Sequence, residues 1–75
     1  MDAAAIRKLL QQPHPQPFTL HLADGRHLEV AHPEFISISR SGRRVIVETQ
    51  DDSFEIVDTV LIVSIEVRPP SQMAA

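Results

Sequence analysis

The side chains best suited to chemistry are the histidines, and three of the four lie in the segment FTLHLADGRHLEVAHPEF, at His21, His27 and His32. Neutral imidazole is a common metal ligand, and its charge changes near neutral pH. A closed zinc site needs four ligands at recognised spacings, and the chain has no cysteine with which to complete one. We therefore expect His21 and His27, with Glu29 nearby, to form a solvated or partner-facing pair, and metal binding by this pair stays open.

A second polar cluster is the run RSGRR, which carries Arg40, Arg43 and Arg44. Guanidinium groups bind phosphate oxygens, so these arginines are the candidate contact with nucleic acid. Against that interpretation, the formal net charge is −3 at pH 7, and three phenylalanines are the only aromatic residues available for base stacking. We therefore prefer a solvated hairpin tip, or a contact between the basic and acidic tips of neighbouring subunits.

The usual catalytic arrangements are absent from the sequence. It has no cysteine nucleophile, no serine in a nucleophile elbow, and only Gly25 and Gly42 from which to build a phosphate-binding loop. The carboxylates fall in segments that we expect to be exposed turns. The sequence therefore predicts a protein without enzymatic activity and without a cofactor.

The elements that position these side chains begin with a helix, which Asp2 can cap and which has an apolar stripe starting at Ile6. Alternating prolines then stiffen the chain, and beyond them the apolar pattern changes to the period of strands. The predicted division is residues 1–12 as an N-terminal helix, 13–17 as a proline-rich connector, 18–67 as a small β-barrel and 68–75 as a disordered tail.

The first predicted hairpin contains the histidine pair, and its turn decides which side chains face each other. A two-residue loop at Asp24-Gly25 would mix polar and apolar side chains on each face. A three-residue loop, Ala23-Asp24-Gly25 with Gly25 in the left-handed conformation, separates them. The predicted pairs are then Phe18 with Val30, Thr19 with Glu29, Leu20 with Leu28, and His21 with His27.

When the inward-facing residues of the later strands are assigned, some apolar side chains remain on the outer face. The predicted pairs are Ile36 with Val47, Ile38 with Val45, Val47 with Phe54, and Val45 with Ile56, and the last strand is predicted to turn Leu61, Val63, Ile65 and Val67 inward. The apolar residues that remain on the other face are Ile46, Val57, Val60 and Ile62. Either the helix covers some of them or they form a subunit or partner interface. The interface is preferred, because one short helix cannot cover both a barrel end and these strands.

The size of the chain also favours self-association. A domain of 75 residues buries about 60% of its unfolded surface, and no disulfide can add stability. The N-terminal sequence MDAAAIRKLLQQPHP lacks a signal-peptide core, and no later stretch approaches a membrane span. The expectation is a cytoplasmic protein that makes no membrane contact.

One helix followed by about five short strands predicts a mainly β fold, a small, strongly bent five-stranded antiparallel barrel. The segments LHLADGRHLEV and IVDTVLIVSIEV resemble Sm-like proteins, including the bacterial Sm-like RNA chaperones. That resemblance runs from Ile6 to Val67 and implies an Sm-like or SH3-like barrel that assembles into rings through its fourth and fifth strands. Val57, Val60 and Ile62 lie on the matching segments.

The residues that bind RNA in Sm-like proteins do not carry over. The sequence HPEF stands where that family has Asp and Asn, and Asp58 and Thr59 replace its basic residues near the last turn. The chain also resembles a recurrent group of short, uncharacterised bacterial proteins in the sequence of two segments, QPFTLHLADGRHLEVAHPEFI and SFEIVDTVLIVSIEV. The predicted function is a non-catalytic, self-associating protein-interaction module in a bacterial cytoplasm, and Sm-like RNA binding is the alternative.

Overall fold

The computed structural model describes residues 1–68, which form one short helix and six strands. The elements in chain order are α1 (Ala3–Leu10), β1 (Phe18–Leu22), β2 (His27–Val30), a 3₁₀ turn (Pro33–Phe35), β3 (Ile36–Ile38), β4 (Arg44–Glu48), β5 (Phe54–Asp58), a second 3₁₀ turn (Thr59–Leu61) and β6 (Ile62–Val67). Helix α1 lies inside the range predicted for it. The predicted disordered tail lies, apart from Arg68, outside the described residues.

The strands form two three-stranded antiparallel sheets with the orders β2-β1-β6 and β3-β4-β5, called here sheet A and sheet B. The predicted five-stranded barrel of Sm-like or SH3-like shape is therefore wrong, because the six described strands do not close into one barrel. The break lies between β2 and β3. Pro33 has no backbone N–H to donate to a ladder, and the chain makes a 3₁₀ turn there that His32 caps. This turn sends β2 and β3 into different sheets.

The predicted register of the first hairpin is confirmed. Phe18 pairs with Val30, Leu20 with Leu28, and His21 with His27. The backbone N–H of Leu22 donates to the carbonyl of Arg26 at 2.8 Å, which leaves a three-residue loop. Gly25 has a φ of 90°, a conformation that a side chain disfavours. The turn residues therefore set the register of β1 against β2 as the sequence predicts.

The second hairpin is also confirmed, since Ile36 pairs with Val47 and Ile38 with Val45. The predicted register of the third hairpin, β4–β5, is wrong by one residue, because Val57 rather than Ile56 lies opposite Val45. The N–H of Thr49 donates to the carbonyl of Ser53 at 2.8 Å, so the loop has three residues rather than four. Asp52 takes the left-handed conformation that this loop needs, with a φ of 67°.

The last strand departs from simple alternation as well. Opposite β1, Ile65 faces Leu20 and Ile62 faces Leu22, with an irregularity in register between His21 and Leu22. Because the extra residue forms a bulge, both isoleucines turn inward although three positions separate them. Val63 is 60% exposed. The predicted inward set is therefore wrong for Leu61 and Val63, whereas Ile65 and Val67 lie opposite the inward-facing Leu20 and Phe18.

The core collects side chains from the helix and from both sheets. Its buried members are Ile6, Phe18, Leu20, Leu22, Val30, Ile36, Val45, Val47, Val57 and Ile62. The side chain of Ile6 is fully buried, so α1 is part of the core rather than an appendage. A well-packed core of this kind is sensitive to the loss of single methyl groups.

Helix α1 and the residues before it meet the rest of the fold at several separate points. The nitrogen of Met1 donates to the carbonyl of Thr59, just before β6, at 2.8 Å. Near the other end of the helix, Leu9 and Val67 line one small cavity. The start of α1 also packs on the β3–β4 loop, where a Cβ placed on Gly42 would lie 3.4 Å from that of Ala3. The chain before α1 is therefore held at Thr59, the start of the helix lies at the β3–β4 loop, and Leu9 lies near the end of β6.

Candidate functional site

The four residues predicted as an interface do not share one surface. Val57 and Ile62 are 3% and 1% exposed and belong to the core, so their predicted place on the outer face is wrong. The register shift in β4–β5 and the bulge opposite β1 turned them inward. Ile46 is half-buried on the outer face of sheet B, and Val60 is 74% exposed in the second 3₁₀ turn.

The same register shift brings other apolar side chains to the outer face of sheet B. Phe54 and Ile56 are each 62% exposed, and Ile56 lies directly opposite Ile46. We call Ile46, Phe54 and Ile56 the apolar strip. Across β4 the face becomes polar, since Ser37 is the neighbour of Ile46 on β3. The apolar strip is therefore concentrated at the β5 side of sheet B.

Strand β5 is also a free edge, because among the described residues it pairs with β4 alone. Hydrogen bonds join Thr49 to Ser53 at one end of the β4–β5 ladder and Arg43 to Thr59 at the other. Antiparallel ladders alternate, so the backbone groups of Glu55 and Val57 point toward β4. Those of Phe54, Ile56 and Asp58 point away from it. The outward backbone groups and the most exposed side chains of β5 thus belong to the same residues.

The arginines predicted as a nucleic-acid contact lie together at one end of sheet B. Arg40, Arg43 and Arg44 are all exposed around the β3–β4 loop, and we call them the basic tip. A fourth guanidinium joins them, since that of Arg7 packs against Gly42. Its contribution could not be read from the sequence, because nothing in α1 indicates which loop the helix approaches.

The opposite end of sheet B is acidic. A groove of about 630 Å³ lies between β2 and the β4–β5 turn, with Leu28, Ala31 and Phe35 as its apolar lining. The carboxylates along it are those of Glu29, Glu48, Asp51 and Glu55. This groove and its carboxylates are called the acidic end.

Two carboxylates of the acidic end have defined partners. Hydrogen bonds from the hydroxyls of Ser53 and Thr49, and from the backbone N–H of Ser53, lower the pKa of Asp51 to about 2. Arg26 donates to Glu55 at 3.0 Å and to Asp24 at 2.8 Å, which ties the β1–β2 turn to β5. The carboxylate of Asp51 therefore stays ionised throughout the physiological pH range.

The predicted histidine pair is present on the outer face of sheet A. The rings of His21 and His27 have centroids 6.2 Å apart. Nε2 of His21 lies 3.0 Å from Oε1 of Glu66, and this hydrogen bond lowers the pKa of Glu66. His32 is separate, because its Nδ1 accepts from the backbone N–H of Glu34 at 3.3 Å. In residues 1–68 no three His, Cys, Asp or Glu side chains are grouped to hold a metal ion.

Comparisons of the chain with protein-family models, with curated proteins and with solved structures give no match. Within the described part of the chain, no helix has both the length and the apolar character needed to cross a membrane. The surfaces of the described chain that could bind a partner are therefore the apolar strip with its free edge, the basic tip and the acidic end.

Proposed function

We propose that this protein is a non-catalytic interaction module that self-associates through β5. The observation that carries the proposal is that Phe54 and Ile56, each 62% exposed, lie on a strand whose outer edge has no partner among the described residues. An exposed apolar edge strand is a template for pairing with another chain. Proteins that stay monomeric usually blunt such an edge with charges or proline; β5 has no proline, and its two charged residues, Glu55 and Asp58, leave positions 54 and 56 apolar.

The energetics support the same conclusion. Full burial of a Phe or Ile side chain contributes about 1.5–3 kcal/mol, and more than half of each of these two is still in water. A chain of 75 residues gains little from its own core and has no cysteine for a disulfide. Association through β5 would bury the remaining apolar surface and pair the free backbone groups at the same time.

Sedimentation at micromolar concentration tests this proposal. We expect the wild-type protein to be oligomeric and Ile56→Glu to be monomeric, with association weakened at least 100-fold, because a carboxylate would be desolvated at the contact. Val63→Glu is the matched control, since Val63 is equally exposed at 60% but lies on sheet A. A wild-type protein that stays monomeric, or a Val63→Glu variant that dissociates as fully as Ile56→Glu, contradicts the proposal.

RNA binding at the basic tip is the second candidate, and the position of Arg7 favours it. Four guanidinium groups at one end of the molecule can contact several phosphates. Binding to single-stranded RNA, measured by fluorescence anisotropy, should then weaken with salt along a linear slope in log affinity against log concentration. Replacing Arg43 and Arg44 by Ala should reduce that slope. An absence of binding at about 50 mM salt eliminates this candidate.

A further inference from the structure

We infer that two copies of this chain pair their β5 strands antiparallel across a two-fold axis at Ile56, which joins two copies of sheet B into one six-stranded sheet. The inference rests on the proposed self-association and adds its partner, symmetry and register. It concerns the outer edge of β5, where the backbone groups of Phe54, Ile56 and Asp58 point away from β4.

The backbone alone selects the axis. In antiparallel pairing, only residues with outward backbone groups can exchange hydrogen bonds with the second copy. Ile56 is the middle one of three such residues on β5. An axis there sets Ile56 against Ile56 of the second copy and Phe54 against Asp58 of the second copy. Every outward group of the strand is then paired, and a shift by two residues would leave some of them without a partner.

The side chains at the axis agree with this register. Phe54 and Ile56 lie on the outer face of sheet B, and Ile46 is beside Ile56 on β4. The axis places the two Ile56 side chains next to each other, with Ile46 of each copy outside them. The two apolar strips then form one continuous strip across the centre of the joined sheet, which cross-strand contacts stabilise.

Charge selects antiparallel over parallel pairing. Strand β4 begins with Arg44 and ends with Glu48, so the basic tip and the acidic end lie at opposite ends of sheet B. Antiparallel pairing of β5 brings the acidic end of one copy to the same side as the basic tip of the second copy. Parallel pairing would bring acidic end to acidic end, and at neutral pH these carboxylates repel.

The other long edge of the molecule is less available for such a contact. Strand β6 is one edge of sheet A, and Leu9 near the end of α1 lines a small cavity together with Val67, the last residue of that strand. A contact in which β5 of one copy pairs with β6 of the next would have to accommodate the end of this helix near Val67. The two-fold β5 contact requires no such accommodation.

Engineered cysteines test the geometry directly, because the chain has no cysteine of its own. Facing residues in a hydrogen-bonded antiparallel pair have Cα atoms about 5.5 Å apart, and disulfides span about 4.4–6.8 Å. Ile56→Cys should therefore form a disulfide-linked dimer under mild oxidation with diamide. Ser37→Cys, on the far strand of sheet B, and Val63→Cys, on sheet A, are the controls that should stay largely unlinked.

A mixed pair tests the register. Phe54→Cys alone should not crosslink, because two copies of position 54 lie four residues apart along the strands, roughly 13 Å. Phe54→Cys mixed with Asp58→Cys should give the mixed dimer. Since Asp58 caps the second 3₁₀ turn through the N–H of Val60, circular dichroism should first show that the variant is folded. Should it be unfolded, the Ile56→Cys result decides alone.

The outcomes separate this inference from the proposed function. An oligomeric wild type whose Ile56→Cys variant crosslinks no faster than the Val63→Cys control overturns the two-fold β5 contact but leaves self-association in place. A wild type that sediments as a monomer overturns both. Rapid crosslinking of Ile56→Cys, absent from both controls, supports the two-fold contact and excludes head-to-tail pairing of β5 with β6.

Discussion

Ile62→Glu is expected to unfold the isolated chain rather than merely to separate subunits. Ile62 is 1% exposed and packs in the core opposite Leu22. An unpaired carboxylate there loses its hydration without gaining a partner, which costs about 3–5 kcal/mol or more. A domain of this size has roughly 4–11 kcal/mol of total stability. Circular dichroism and urea unfolding should therefore show a largely unfolded or severely destabilised protein.

The neighbouring residue supplies the control for that experiment. Val63→Glu makes the same chemical change one position later, where the side chain is 60% exposed because of the bulge. Its effect on the unfolding free energy should be within about 0.5 kcal/mol, as for most surface substitutions. If simple alternation continued through β6, Val63→Glu would be the damaging substitution and Ile62→Glu the tolerated one. The pair of variants therefore tests the bulge itself.

The parts of the fold that the sequence predicts are those whose turns contain glycine. Gly25 and Gly42 both adopt positive φ angles, at 90° and 77°, and they fix the loops on which the first two registers depend. A one-residue slip in either hairpin would turn an apolar face toward water. The alternation and the turn signal therefore agree at these two places, and both registers are confirmed.

The wrong predictions of register arise where a residue other than glycine adopts a positive φ angle, or where the alternation of inward and outward side chains along a strand is interrupted. Asp52 adopts a φ of 67°, and no glycine marks that turn in the sequence. The bulge opposite His21 and Leu22 adds one residue to β6, and bulges have no reliable sequence signature. Pro33 is visible in the sequence, but only the structure shows that the turn it starts divides the strands between two sheets.

Of the candidate surfaces, one is predicted from the sequence and another is predicted only in part. The basic tip is predicted, since its three arginines flank a recognised turn. The apolar strip is predicted only at Ile46, because a register shift of one residue in β5 exchanges Ile56 for Val57 at the surface. An outer-face surplus of apolar residues could therefore be expected from composition and size. Which residues form that surface depended on the length of the β4–β5 turn, and the sequence did not show that length.

Ile6→Ala is expected to lower the free energy of unfolding by about 2–5 kcal/mol, the usual range for such a truncation in a core. Ile6 is fully buried and is the one residue of α1 among the largest fully buried side chains of the described chain. Lys8→Ala, on the exposed side of the same helix, is the control and should change stability by less than about 0.5 kcal/mol. Urea unfolding measures both variants.

The Ile6→Ala substitution also tests whether α1 limits access to the edge strand β6. Strand β6 is an edge of sheet A, and its exposed side chains include Val63 and Val67. If α1 shields that edge, loosening it through Ile6→Ala exposes a second strand for pairing. The variant should then form assemblies larger than those of the wild type, and Ile56→Glu should not abolish them, because they use β6 rather than β5. A destabilised Ile6→Ala protein whose assembly state matches that of the wild type would show that α1 stabilises the core without guarding the edge.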